Sequence, residues 1–319
     1  MFHQPTARKH RAVEEIATKF PIDYAKLNSM QTNTNLLWFN NLRVELGRFF
    51  ESCRTKHPTQ PVRILELGCG AGIFAYELAK AFPTVEVLAV DISEALITGA
   101  KQQYQQPNLS YAVRDATKLE KYNDHDLILG LFIMHFIQDK PEFMRRVAHS
   151  LRPGGQARFI TPLENKIMLQ ARQSVLEKSP WKEKNNNRFC IAGIATDSTP
   201  YQLLLESNSK RLAQSSCEQK SQNIEMSPDV FKSFLNGIAL EIRALELSEE
   251  ETKQYCSDVC DEIPKRQEGK IDFKLDYTEI IAIRRQFEPS NDSPLSPTQS
   301  RSLSPLCPHR ITENSPRST

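Results

Sequence analysis

What this chain lacks narrows it first. No run approaches the roughly 18–20 apolar residues that span a bilayer, and the opening stretch MFHQPTARKHRAVEEIATKF carries basic residues with no apolar segment after them. The expectation is a soluble, cytoplasmic protein with no membrane span. Nor is there a surplus of one charge: 41 Lys and Arg stand against 39 Asp and Glu, a net charge of +2. Nucleic acid is held by concentrated basic surface, so no nucleic-acid partner is expected and a small-molecule substrate fits better. The seven cysteines are odd in number and scattered, which suggests neither a disulfide framework nor a zinc site. Reduced thiols and no metal are expected. No internal repeat of about 20–50 residues breaks the chain into modules.

What is present is an alternation of strand and helix patterns between residues 62 and 160, the mark of βαβ units and a parallel sheet. VRILEL reads as the first strand. AGIFAYELAKAF follows as a helix stopped by Pro83, then the strand VEVLAV, a helix with Ser93 as N-cap, and strands near LSYAV and DLILGLF. Asp139 and Glu142 have capping-box spacing, with Pro141 in the first turn; that helix is expected to end at RPGG, ahead of a strand QARFI. Upstream, Phe39, Leu42, Leu46, Phe49 and Phe50 give an amphipathic helix over about 36–52, packed on the sheet. Residues 161–270 read as a helical insertion before a long last strand, DFKLDYTEIIAIRR. The predicted organisation is an extension over 1–20, a domain over 21–287, and a disordered Ser/Pro-rich tail over 288–319. In that tail, Ser293, Ser296, Ser304 and Ser315 each precede proline and could recruit a protein partner, although a solvated terminus is the plainer reading.

The chemistry concentrates in LELGCGAGIFA, residues 65–75. In a doubly wound fold the ligand lies at the carboxyl ends of the strands, and the loop after the first strand is the leading candidate. Gly68, Gly70 and Gly72 let backbone turn sharply and come close to a ligand. A dinucleotide loop is spaced G-x-G-x-x-G; in this chain the third glycine comes one residue early and Ile73 takes its place. Glu66 would repel a pyrophosphate but accept hydrogen bonds from an ammonium group. Asp91, after the second strand, can take the ribose hydroxyls of any adenosine cofactor, and alone it fits NAD equally well. Asp115, after the third strand, is placed to accept from an adenine amino group, with the backbone of Ala116 reaching a ring nitrogen. Any one of these acids could instead be a helix N-cap.

ILELGCGAG, VLAVDIS, VRDA, DLILGLFIMHF and LRPGG, in this order, resemble the class I S-adenosylmethionine-dependent methyltransferases. That resemblance implies a doubly wound, Rossmann-like α/β fold, a seven-stranded sheet with an antiparallel last strand and a helical insertion or cap. It implies S-adenosylmethionine (SAM) as cofactor, with Glu66 toward the methionine amino group, Gly68, Gly70 and Gly72 lining it, Asp91 with Ile92 at the ribose, and Asp115 with Ala116 and Leu131 around the adenosine. YAKLNSMQ and MHFIQD are similar to a subgroup that methylates carboxylic acids, including juvenile hormone acid, trans-aconitate and malonyl-carrier-protein methyltransferases. By that likeness Tyr24 and Gln31 lie over the methionine end, while His135 and Phe136 border the substrate pocket. Phe136 departs from the tryptophan common in those relatives, so the pocket has its own shape.

The expected function is O-methylation of a small molecule, an apolar carboxylic acid. Readings left open are a macromolecular acceptor, a NAD-dependent oxidoreductase, and a non-catalytic SAM-binding adaptor. Plainer roles stand beside several candidates: His135 as a structural histidine, Cys69 packed under the loop, Cys256 and Cys260 as buried thiols, and Trp181 on a surface loop.

Overall fold

A computed structural model describes residues 29–119, 123–186, 194–239, 242 and 245–286. The 1–20 extension, Tyr24 and the Ser/Pro-rich segment lie outside the described residues, as does the side chain of Gln31. Strands β1 (Val62–Leu67), β2 (Val85–Asp91), β3 (Leu109–Val113), β4 (His125–Leu131), β5 (Leu151–Pro162), β6 (Leu212–Met226) and β7 (Ile271–Arg284) form one sheet ordered β3-β2-β1-β4-β5-β7-β6. Strands β1 to β5 pair in parallel, whereas β7 runs antiparallel between β5 and β6. This is the doubly wound, Rossmann-like sheet expected, with its antiparallel last strand. The central strands carry apolar residues on both faces because helices cover both. Every residue of β4 is buried.

Helix α1 (Ser29–Lys56) is longer than its apolar stripe suggested. It lies beside α2 (Ile73–Ala81) and runs the same way: Phe39 meets Phe74 at 5.7 Å near the start of α2, and Phe50 meets Phe82 at 4.9 Å past its end. The turns of α1 before Trp38 therefore extend beyond the start of α2, toward the glycine loop that precedes it. Helix α3 (Glu94–Gln103) is capped by Ser93, whose hydroxyl accepts from Leu96 N–H. Helix α4 (Lys140–Ser150) is capped by Asp139, but Glu142 does not complete the box, because its carboxylate pairs with Arg145 and Arg146. That helix ends at Ser150, before the glycines, and RPGG belongs to β5. The strand begins earlier than its apolar residues because its hydrogen-bonding register with His125 is already set at Leu151.

The insertion holds helices α5 (Lys166–Leu176), α6 (Trp181–Asn185), α7 (Thr199–Ser207), α8 (Pro228–Ile238) and α9 (Glu249–Glu262), but it is not wholly helical. The fifteen residues of β6 lie inside it. As an edge strand, β6 shows one flank to solvent, and its sequence LAQSSCEQKSQNIEM is too polar to announce a strand. The ladder between β6 and β7 continues past the point where β5 leaves it, at Pro162 opposite Tyr277. On this two-stranded projection α5, α6, α8 and α9 build a cap whose core includes Phe231, Phe234, Phe273 and Tyr255. Trp181 is a correction too: it is 2% exposed, donates from Nε1 to Asp258 at 2.6 Å, and meets Tyr255 edge-on. Lysines and asparagines around it gave the segment a polar look, while the indole faces inward. Cys69, Cys256 and Cys260 are buried, as expected. No helix among the described residues is long and apolar enough to cross a membrane.

Candidate functional site

The two edges of the sheet differ in kind. At the amino edge, polar groups satisfy one another: Arg152 donates to Asp126 at 2.8 Å and to Pro61 O at 3.0 Å, Asp126 accepts from Arg63 N–H, and His125 Nδ1 lies 3.0 Å from Ser150 Oγ. At the carboxyl edge the buried Glu66 Oε2 has no partner, a state native folds rarely keep.

The register sets Glu66, at the end of β1, between Ala89 of β2 and Leu129 of β4. The chain then turns through Gly68, Gly70 and Gly72, with φ of 71°, 55° and 82°. At Gly72 the requirement is twofold. Its backbone is left-handed, and a Cβ would fall 2.8 Å from Ala100 Cβ and 2.9 Å from the Tyr111 ring. At Gly68 a Cβ would meet Ile133 Cδ1 at 2.9 Å. The loop is pinned to β2 by Gly68 N–H and Cys69 N–H, both donating to Val90 O, and by Gly70 N–H, which donates to Asp91 Oδ2 at 2.9 Å. Asp91 Oδ1 accepts from Ser93 N–H at 2.9 Å. Asp91 thus orders the loop, and each oxygen still has a lone pair for a further donor.

Glu66 is 3% exposed and its Oε2 has no hydrogen-bond partner. Burial, reinforced by the charge of Asp91, pushes its carboxyl up to about 8. Burial also raises Asp91, against the hydrogen bonds from Ser93 and Gly70. Two acids that repel each other and are desolvated together ask for a cation. Burial together with these two acids holds the Cys69 thiol well above the usual range, which disfavours its thiolate form.

Asp115 follows β3 and is committed to its own turn, accepting at Oδ1 from Thr117 N–H at 2.8 Å and Thr117 Oγ1 at 2.7 Å. Burial alone would raise its carboxyl; the Thr117 bonds outweigh that and hold it low. Its Oδ2 faces exposed Lys118 at 3.5 Å. Ile92 and Ala116 are half-buried at the ends of β2 and β3, and Leu131 is buried at the end of β4. The next residue, Phe132, is buried with φ of 59°, a strained choice for an aromatic, and its N–H donates to Ile160 O at 2.8 Å. The backbone past β4 is therefore fixed. His135 sits in a 3-10 turn, its ring 4.0 Å from that of Phe136, and Phe136 is 43% exposed.

The structure brings Glu66, the three glycines, Asp91, Ile92, Asp115, Ala116 and Leu131 to the ends of four neighbouring strands, with His135 on the loop beyond. Sequence reasoning missed several residues. Thr34 and Asn35 on α1 bury side-chain oxygens with no partner. Trp38 Nε1 donates to Glu279 Oε1 at 2.6 Å, and Lys220 donates to the other oxygen of this buried carboxylate. A signal was available: positions 34, 35 and 38 share one helix face, and two polar residues there precede a buried tryptophan. Open clefts elsewhere, one between α1 and α2 near Phe50 and Phe82 and one beside α5 and β7, contain none of the strand-end acids.

Residues 64–155 match the sequence family described as "Methyltransferase domain". Among curated proteins, the chain is 32% identical over 118 residues to malonyl-[acyl-carrier protein] O-methyltransferase 1 of Ilyobacter polytropus, covering 37% of this chain and 44% of that protein. It is 34% identical over 99 residues to trans-aconitate 2-methyltransferase of Deinococcus radiodurans, covering 31% and 37%. The matches span about half or less of these relatives' length. Among solved structures, phosphoethanolamine N-methyltransferase 2 of Haemonchus contortus in complex with S-adenosyl-L-methionine aligns with a TM-score of 0.49 at 17% identity, covering 86% of this chain and 60% of that one.

Proposed function

We propose that this chain is a SAM-dependent methyltransferase that transfers a methyl group to a carboxylate oxygen of a small apolar acid. One observation carries the cofactor assignment: a buried carboxylate oxygen of Glu66 without a partner, beside a glycine loop whose spacing departs from the dinucleotide pattern. A pyrophosphate would meet repulsion from Glu66 and Asp91, whereas an amino-acid ammonium would relieve it. Glu66 would hold that ammonium, Asp91 the ribose, and Asp115 with Ala116 the adenine. Leu131 would close on the adenosine, and the domain would extend over 21–287. When bound, the cofactor supplies a methyl group already made electrophilic by a sulfonium.

The task left to the protein is to orient the acceptor and exclude water. The strained Phe132 fixes the chain after β4, His135 and Phe136 form the rim, and the cap on the β6–β7 projection supplies an apolar wall. A carboxylate acceptor is ionised at neutral pH and needs no general base, so positioning suffices. The relatives named for malonyl-carrier protein and trans-aconitate support an acid as acceptor. A methyl-labelled donor and a panel of carboxylic acids test this. The expected product is a methyl ester that releases methanol in mild alkali, and a base-stable product would reject the carboxylate.

A further inference from the structure

β6 closes the sheet on one side, and its outer flank pairs with no other strand of the described residues. Which of its backbone groups face outward follows from one contact. Leu163 N–H donates to Asp276 O at 2.8 Å, so Asp276 turns its backbone groups toward the β5 side of β7. These groups alternate sides along a strand, so Tyr277, Glu279 and Ile281 turn theirs toward β6. Their partners there are Lys220, Glu218 and Ser216. Ser215, Cys217, Gln219, Ser221 and Asn223 therefore send N–H and C=O away from the sheet. Of these, Ser215, Gln219, Ser221 and Asn223 are exposed. The usual protections of an open edge are sparse. No proline lies between Leu212 and Met226, the register shift sits at one end between Leu212 and Gln214, and Lys220 is drawn back onto Glu279.

We infer that β6 is the interface of a homodimer, pairing antiparallel with β6 of a second copy about a two-fold axis at Gln219. The strand is fifteen residues long and Gln219 is its centre, so this register uses its whole length. Gln219 faces the partner's Gln219, Cys217 the partner's Ser221, and Ser215 the partner's Asn223. All are outward-facing positions, and with their symmetry mates they make about ten backbone hydrogen bonds. Glu218 and the partner's Lys220 then fall in a non-hydrogen-bonded pair, where side chains stand closest, and the axis makes that ion pair twice. An axis at Cys217 or Ser221 would set Glu218 against the partner's Ser216 or the partner's Ile224 and lose both pairs, so charge selects the register. The side chains of Lys220 and Glu218 are 41% and 66% exposed, and the ammonium has donors beyond the one that Glu279 takes. The inference is independent of the cofactor reading, since it uses no residue of the strand-end site.

Sedimentation of the full chain over a concentration series should show a species of twice the 36.5 kDa chain mass. Glu218→Lys sets lysine against lysine on both sides of the axis and should weaken dimerisation about tenfold. Gln219→Pro removes an N–H that β7 does not use and should leave monomer at the same concentrations. Cross-linking tests the register without relying on either variant. Gln219→Cys should form a disulfide-linked dimer on mild oxidation, because paired positions on neighbouring strands lie within disulfide reach. Ser215→Cys should not exceed the wild-type background, since it stands roughly 27 Å from its copy at about 3.4 Å per residue. Monomer at every concentration, a dimer that Glu218→Lys and Gln219→Pro both leave intact, or Ser215→Cys cross-linking as readily as Gln219→Cys would each overturn the inference.

Discussion

A carboxyl group sealed from water with an oxygen that meets no donor is costly, roughly 1–3 kcal/mol for an unmet polar group and more when charged. Glu66 therefore dictates a pH dependence. Its carboxyl in the ligand-free fold lies at about 8, above the ordinary value of 4.5. Between those values the folded protein holds a proton that the unfolded chain has lost, so stability falls as pH rises from about 4.5 through about 8. Glu66→Gln should remove that slope and melt higher than wild type at the alkaline end. A bound ammonium favours the ionised form, so S-adenosylhomocysteine affinity should rise from pH 6 to pH 8 with proton release, measurable by calorimetry in buffers of different ionisation heat. Glu66→Gln should flatten this rise. Gly72→Ala places a methyl group against Ala100 and Tyr111 at a left-handed backbone position. A loss of about 1–3 kcal/mol in urea unfolding, with weakened cofactor binding, is the expected outcome.

At the scale of elements, legibility followed the apolar pattern. β1, β2, β4 and α3 were readable because their apolar runs, or a cap such as Ser93, are local signals. β6 was not, since an edge strand with a solvated flank needs few apolar residues and its register comes from β7, whose paired residues lie 45 or more positions later, as Met226 opposite Ile271 shows. Trp181 was misread because its partners, Asp258 and Tyr255, lie on a distant helix. The start of α1 was missed for a related reason: its first turns lack the apolar residues that mark the rest of the helix. Helix α9 tests how far local signals reach. Ser248 accepts from Glu251 N–H at 3.2 Å, while Glu251 Oε2 accepts from Ser248 N–H at 2.8 Å. Ser248→Ala should cost about 1 kcal/mol in chemical denaturation, with cofactor affinity unchanged because α9 belongs to the cap.

Across the whole molecule, the sheet divides its labour between edges. Its amino edge closes polar groups on one another, and its carboxyl edge leaves Glu66 unmet among strand ends legible from the sequence alone. The glycine loop and the acids after β1, β2 and β3 could be read because they sit next to strong strands. The packing of α1 could not, because Trp38 meets Phe74 and Glu279 only in the tertiary fold. That packing has an anchor. Trp38→Phe keeps the ring but leaves one oxygen of buried Glu279 without its indole donor. It should lower stability by roughly 1–3 kcal/mol in urea unfolding, and S-adenosylhomocysteine binding should weaken as α1 loosens.

The central claim is that the carboxyl edge is built for a methyl donor and not for a dinucleotide. Side-by-side calorimetry of the wild-type chain with S-adenosylhomocysteine and NADH tests it most directly. Saturable one-to-one binding of S-adenosylhomocysteine with no NADH binding is the predicted result; NADH binding without S-adenosylhomocysteine binding would contradict it.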